Sequence, residues 1–218
     1  TIHSSRHRFA ARLNSGVSRH EDPRLRIGIM KNKILVVSIA LLLAVQSVAA
    51  QSPKNMDLRK ELLQLQVDDQ AIRERMPQSP EERETFIAVD MKHTARLKEM
   101  IDTYGWPSIS LVGEDGATAA WLLAQHADAD PNFQRQVLAL MEPLVATGGV
   151  NASQYAYLWD RTHKPQKYGT QGGCVAEGRW EPLEIESPDE VDARRAEVGL
   201  SPMADYEKLV SKYCTDGG

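Results

Sequence analysis

Cysteine is scarce in this chain: Cys174 and Cys214 are the only two among 218 residues. Two are too few for a disulfide-built mini-domain or a four-cysteine zinc module. Histidine is nearly as sparse, with His93, His126 and His163 the three beyond residue 50, and none of them stands at paired metal-ligand spacing. No apolar run is long enough to cross a bilayer as a helix, since the longest stretch, Ile34 to Val45, has twelve residues. Positive charge is not in excess either, the formal net being −4, so nothing general points to nucleic acid. Glycine-rich phosphate loops, a dinucleotide fingerprint and a nucleophile elbow are lacking, as are internal repeats and low-complexity linkers. What is present, 42% apolar and 26% charged residues, is too apolar for a disordered chain and too charged for a polytopic membrane protein.

The first fifty residues read as lying outside the fold. Thr1 is not a methionine, and the first plausible start is Met30. A basic segment with Lys31 and Lys33, the apolar run from Ile34 and the short-side-chain close Val48-Ala49-Ala50 together read as a secretory signal over residues 30–50. Residues 1–29, with six arginines, are expected to be an upstream extension that is untranslated or disordered. Eight of the 26 Lys/Arg and two of the 30 Asp/Glu fall in residues 1–50, which leaves 18 against 28 in the mature chain, a net of −10. The exported part is therefore acidic, and DNA or an anionic membrane face becomes a poorer partner still. Both cysteines fall in that part, where oxidation is permitted. A Cys174–Cys214 bridge is the expectation, and closing its loop of about 40 residues constrains the unfolded chain by about 4 kcal/mol. A catalytic thiol is the alternative, with His163 the nearest histidine in sequence.

The mature chain, residues 51–218, reads as a single helical domain with a small C-terminal β-hairpin, mainly α in class. Leu58, Leu62, Leu65 and Ile72 recur at helical spacing over 56–73. Ser79-Pro80 opens a second helix with the stripe Phe86, Val89, His93, Leu97, Met100 or Ile101, and Tyr104, stopped at Gly105-Trp106-Pro107. Residues 117–127 hold only Thr118, Gln125 and His126 outside an apolar set, the pattern of a central helix covered on most sides. Gln125 and His126 then enter a buried environment, where each needs a hydrogen-bond partner. Asp130-Pro131 opens a fourth helix, kinked or ended by Pro143, and Asn151 with Gln154 stands at capping-box spacing ahead of a fifth. Beyond Pro165 the pattern becomes extended: residues 167–170 and 179–185 are expected to pair as the hairpin. Ser187-Pro188-Asp189-Glu190 reads as a capping box for a short helix ended by Gly199, and Ser201-Pro202 opens a last helix to about Tyr213.

Several motifs occur in one order: Gly105-Trp106-Pro107, Ser110-Leu111-Val112-Gly113, Gln125-His126-Ala127-Asp128, Tyr157-Leu158-x-Asp160-Arg161, Tyr168-Gly169-Thr170-Gln171, and Glu184-x-x-x-Pro188 ahead of Arg194-Arg195. Together, over about residues 57–210, they resemble an uncharacterised bacterial family catalogued as a domain of unknown function. The resemblance implies an exported bacterial protein and these domain limits; it carries no activity or ligand. Two departures stand out, a short link between Arg161 and Tyr168 and a histidine at position 93 where asparagine is more usual.

The residues that could carry chemistry gather around His126. In a catalytic arrangement His126 is the general base, Asp160 orients it, and Arg161 holds an anionic group or an oxyanion, with Gln125, Tyr168, Thr170 and Gln171 as further ligand-binding positions. The plainer arrangement is a satisfied hydrogen-bond network that pins the hairpin to the bundle. Without a warrant for catalysis from fold or family, the expectation is a non-catalytic module of the bacterial envelope, periplasmic or secreted, that binds a small molecule or an envelope protein. A hydrolase-like enzyme is the alternative. No cofactor and no metal are expected: Asp128-x-Asp130-x-Asn132 imitates the start of an EF-hand, but Phe133 stands where glycine is needed and Ala139 where the final glutamate belongs. Neither nucleic acid nor a membrane span of the mature chain is expected.

Overall fold

The computed structural model describes residues 52–74 and 77–215; the expected upstream extension and signal segment lie outside them. Helix α1 runs over Met56–Arg73, with the Asn55 side chain accepting from Leu58 N at 3.0 Å. Helix α2, Pro80–Tyr104, starts as expected on Ser79, whose hydroxyl accepts from Glu82 N at 3.1 Å, with proline at its first position. Helix α3, Ile109–Gln125, is two helical pieces joined at Gly113, where φ is +79°. That backbone favours glycine, and a Cβ there would meet the Pro53 ring at 3.0 Å. Helix α4, Pro131–Val145, is capped by Asp130 through Phe133 N at 3.0 Å. It continues through Pro143, which sits in the last turn, where one lost backbone bond is tolerated. Helix α5, Ala152–Thr162, is capped by Asn151, but Gln154 does not close a capping box; its amide donates instead to Thr118 Oγ1 at 2.9 Å.

The second strand of the hairpin falls within the expected 179–185, while the first lies further along the chain than the expected 167–170. Strands β1, Gly172–Ala176, and β2, Arg179–Pro182, pair antiparallel, with Gly172 opposite Pro182 and Cys174 opposite Trp180. Residues 167–170 are not a strand, because a buried carboxylate takes up their backbone N–H groups, as described below. All of β1 is exposed, so it shows none of the alternation by which a half-buried strand is read. Trp180 lies over Gly172, where a Cβ would sit 2.2 Å from its indole. The Ser187 capping box does not form: Ser187 has φ +43°, a 3-10 turn covers Pro188–Glu190, and helix α6 is Val191–Glu197. Helix α7, Met203–Val210, and a 3-10 turn at Ser211–Tyr213 complete the described chain. No described helix is long and apolar enough to cross a membrane.

The core is built around α3. Its Ala117, Ala119, Ala120, Leu123 and Ala124 are all buried, and their small side chains let α1 lie close along it. Leu58 and Leu62 of α1, Leu97 and Met100 of α2, Phe133, Val137 and Met141 of α4, and Leu158 of α5 fill the rest. The expected stripe of α2 holds at His93, Leu97 and Met100 and fails at its end, since Tyr104 is exposed. Cys174 and Cys214 form a disulfide that ties β1 to the end of the chain.

Candidate functional site

Asp69 sits one turn after Leu65, at an inward phase of α1, and is 1% exposed. His126, the residue that ends α3, places its Nδ1 2.9 Å from Asp69 Oδ2 and 3.1 Å from Oδ1. An ionised carboxylate only accepts, so the hydrogen of this contact sits on Nδ1, and in the neutral ring that tautomer leaves the lone pair on Nε2. Nε2 has no hydrogen-bond partner among the described residues. Behind the pair, Arg73 bridges Asp69 at 2.9 Å and Asp90 at 2.6 Å, and its guanidinium lies 4.7 Å from the centre of the Phe86 ring. Gln70 adds a 2.8 Å bond to the same carboxylate. Burial pushes the Asp69 carboxyl up, but the hydrogen bond and charge of His126, with Gln70 and Arg73, outweigh it and the net shift is downward. His93 of α2 is buried too, its Nδ1 without a partner among the described residues. Burial lowers its pKa against the pull of Asp69, Asp68 and Asp90.

Beside His126, Arg161 of α5 donates to both oxygens of Asp128, one of them from Nε at 2.7 Å, and reaches Gln171 Oε1 at 3.4 Å. Burial raises the Asp128 carboxyl, and Arg161 overrides that and holds it low. The Gln134 amide donates to the Ala124 and Gln125 carbonyls, both at 3.2 Å, which closes the end of α3 onto α4. Gln125 is buried as expected, yet its Oε1 has no partner among the described residues.

Asp160, 2% exposed, faces elsewhere. Its carboxylate accepts from the backbone N–H of Lys167 at 2.8 Å, Tyr168 at 3.0 Å and Thr170 at 2.9 Å, and from Thr170 Oγ1 at 2.9 Å. Gln166 continues this capture, its amide donating to the Gln171 and Leu183 carbonyls and its Oε1 accepting from Gln171 N, each at 2.8 Å. Arg195 is fully buried with no carboxylate on it among the described residues; it donates at 2.5 Å to the Tyr168 and Ser201 carbonyls and lies 4.8 Å from the centre of the Tyr206 ring. Edge-to-face contacts run from Trp121 to Tyr157, from Tyr157 to Tyr206, and from Tyr206 to Trp180. A cavity of about 160 Å³ beside Asp160, His163, Gln166 and Leu183 lies in this region.

The structure thus sorts the expected site residues into two groups. His126, Gln125 and Arg161 gather where α3 ends. Asp160, Tyr168 and Thr170 form the second group, linked to the first through Gln171, which meets Arg161 and donates to Thr170 Oγ1 at 3.1 Å. The carboxylate on His126 is Asp69, and Asp160 serves the 167–170 backbone. Sequence reasoning passed over Asp69, although an acid in the apolar stripe of α1 is the signal that marks it. It also passed over Arg73, and it met Arg195 only as part of a motif, without a role. Among the described residues no three His, Cys, Asp or Glu side chains gather within metal-ligand reach.

A sequence model of a family of unknown function, DUF6624, matches residues 56–215. No curated protein and no solved structure matches the sequence.

Proposed function

We propose that this chain, which belongs to the DUF6624 family of unknown function, is an exported module that binds a small ligand or an envelope partner without transforming it. One observation carries the reading. Around the end of α3 the charged groups are committed to one another or to backbone, Gln125 Oε1 and His93 Nδ1 are unpartnered among the described residues but buried, and His126 Nε2 is on a partly exposed ring, free to meet a ligand. A lone acceptor on a fixed ring can hold a ligand hydroxyl or amine, whereas hydrolysis by base-activated water also needs uncommitted oxyanion donors. Arg161 is engaged by Asp128, and Asp160, which accepts from four donors, has no hydrogen to give, so neither meets that need. The reading of residues 30–50 as a secretory signal supports export, and so does the Cys174–Cys214 bridge, a bond that persists in oxidising compartments.

A thermal-shift screen against cell-wall fragments, nucleotides, sugars and divalent metals tests the proposal. A ligand that stabilises the wild type, leaves His126→Ala unshifted and is recovered unchanged supports it. Turnover of that ligand contradicts it.

The Asp69–His126 pair favours a second reading, an enzyme with His126 as general base. There Asp69 takes the orienting role, and Asp160 and Arg161 hold the surrounding elements. Loss of turnover in both Asp69→Asn and His126→Gln variants that still fold and still bind would establish it.

A further inference from the structure

The outer face of α2 carries a stripe that the rest of the described chain leaves open. Glu84, Ala88, Met91, Ala95 and Lys98 recur at alternating steps of four and three, with Ile87 alongside, which is the spacing of a helix–helix seam. Ile87 is 45% and Met91 57% exposed, and Ala88 and Ala95 are exposed as well. The buried face of the same helix is a different set, His93, Thr94, Leu97 and Met100. A second apolar stripe on a helix whose first is already in the core marks a contact surface. We propose that it is the interface of a two-fold symmetric homodimer, in which α2 packs antiparallel against α2 of a second copy with Met91 at the symmetry axis.

The register follows from the residues. With Met91 opposite itself, Ile87 faces Ala95 of the second copy and Glu84 faces Lys98. Bulky and small side chains then alternate across the seam, and the alanines allow close approach. A groove of about 280 Å³ lined by Met91, Thr94, Ala95, Lys98, Ala129 and Asp130 opens where the second copy's Ile87 enters. Charge selects the direction. Glu84 has no ion-pair partner among the described residues, and Lys98, although 2.6 Å from Asp130, keeps its side chain 42% exposed. Antiparallel packing sets Glu84 against Lys98 twice, whereas parallel packing sets like against like. Self-complementarity of this kind is what a two-fold interface demands and an unrelated partner does not. One helix pair buries less than the roughly 1,200 Å² of a standard interface, so the dimer is a weak one.

Cysteine cross-linking of the full chain tests this directly. Met91→Cys, at the axis, should give a covalent dimer under mild oxidation at least tenfold faster than Val67→Cys, an equally exposed position on α1. Glu84→Lys should raise the dimer dissociation constant in sedimentation by about tenfold, because two pairs are lost at once. Met91→Asp, whose native side chain lies outside the core, should be monomeric with an unchanged helical spectrum. A Met91→Cys chain that cross-links no faster than Val67→Cys, or a wild type that stays monomeric up to millimolar concentration, overturns the proposal.

Discussion

The helices from Met56 to Thr162 and the segment from His163 to Thr215 are held by different physics. In the first, leucines, alanines and methionines from five helices meet around α3, and few charges take part. In the second, the apolar side chains are few and scattered: β1 is exposed throughout, and Val191, Met203 and Cys214 are the buried apolar residues. There the backbone is held by side chains reaching into it, Asp160 and Gln166 from one direction and Arg195 and Tyr206 from another, with the disulfide closing the end. A fold can thus extend a packed bundle by about fifty residues without extending its core, provided each captured backbone group has a partner.

The contrast can be broken from either side. Asp160→Asn should cost the most, about 4 kcal/mol, because one acceptor oxygen becomes an NH₂ that faces backbone donors already buried. Its loosening by limited proteolysis within residues 163–215 should precede the loss of helical ellipticity, the second region opening first. Reducing the Cys174–Cys214 bond should remove nearly as much, up to about 4 kcal/mol by loop entropy, and sharpen the same split. Leu97→Ala, by contrast, should cost about 3 kcal/mol through the cavity it leaves and shift both signals together, because the second region rests on the bundle. Equal behaviour of all three would erase the distinction.

Smaller effects attend the Asp69–His126 pair. Since the Asp69 carboxyl is held below its unfolded value near 3.9, its contribution to stability is present above about pH 4 and is lost as pH falls through the lowered folded value. A pH series of melting temperatures should therefore drop more steeply below pH 4 in the wild type than in Asp69→Asn. His126→Gln, whose side chain is partly exposed, should shift melting by less than about 1 kcal/mol while abolishing ligand-induced stabilisation.

The same contrast explains what the sequence disclosed. The first region was legible because burial imprints a period: Leu58, Leu62, Leu97 and Met100 announce their faces, and Ser79, Asp130 and Asn151 announce their caps. Gln125 and His126 stood out as polar groups at the end of an apolar helix, and Arg161 lies beside them. In the second region the first strand was read too early, because hydrogen bonds from the backbone of residues 167–170 to Asp160 leave no periodic mark and an exposed strand has no apolar face. The partner of His126 was missed for another reason. Asp69 lies 57 positions away, on a helix whose pattern reads well without it, and only tertiary packing brings the two together.

Amide hydrogen exchange on Asp160→Asn measures the claim at its centre, that one buried carboxylate orders the turn between bundle and hairpin. The amides of Lys167, Tyr168 and Thr170 should lose protection by a hundredfold or more, while those of α2 and α3 exchange as in the wild type. Unchanged protection at those three amides, or an equal loss across the bundle, would contradict it.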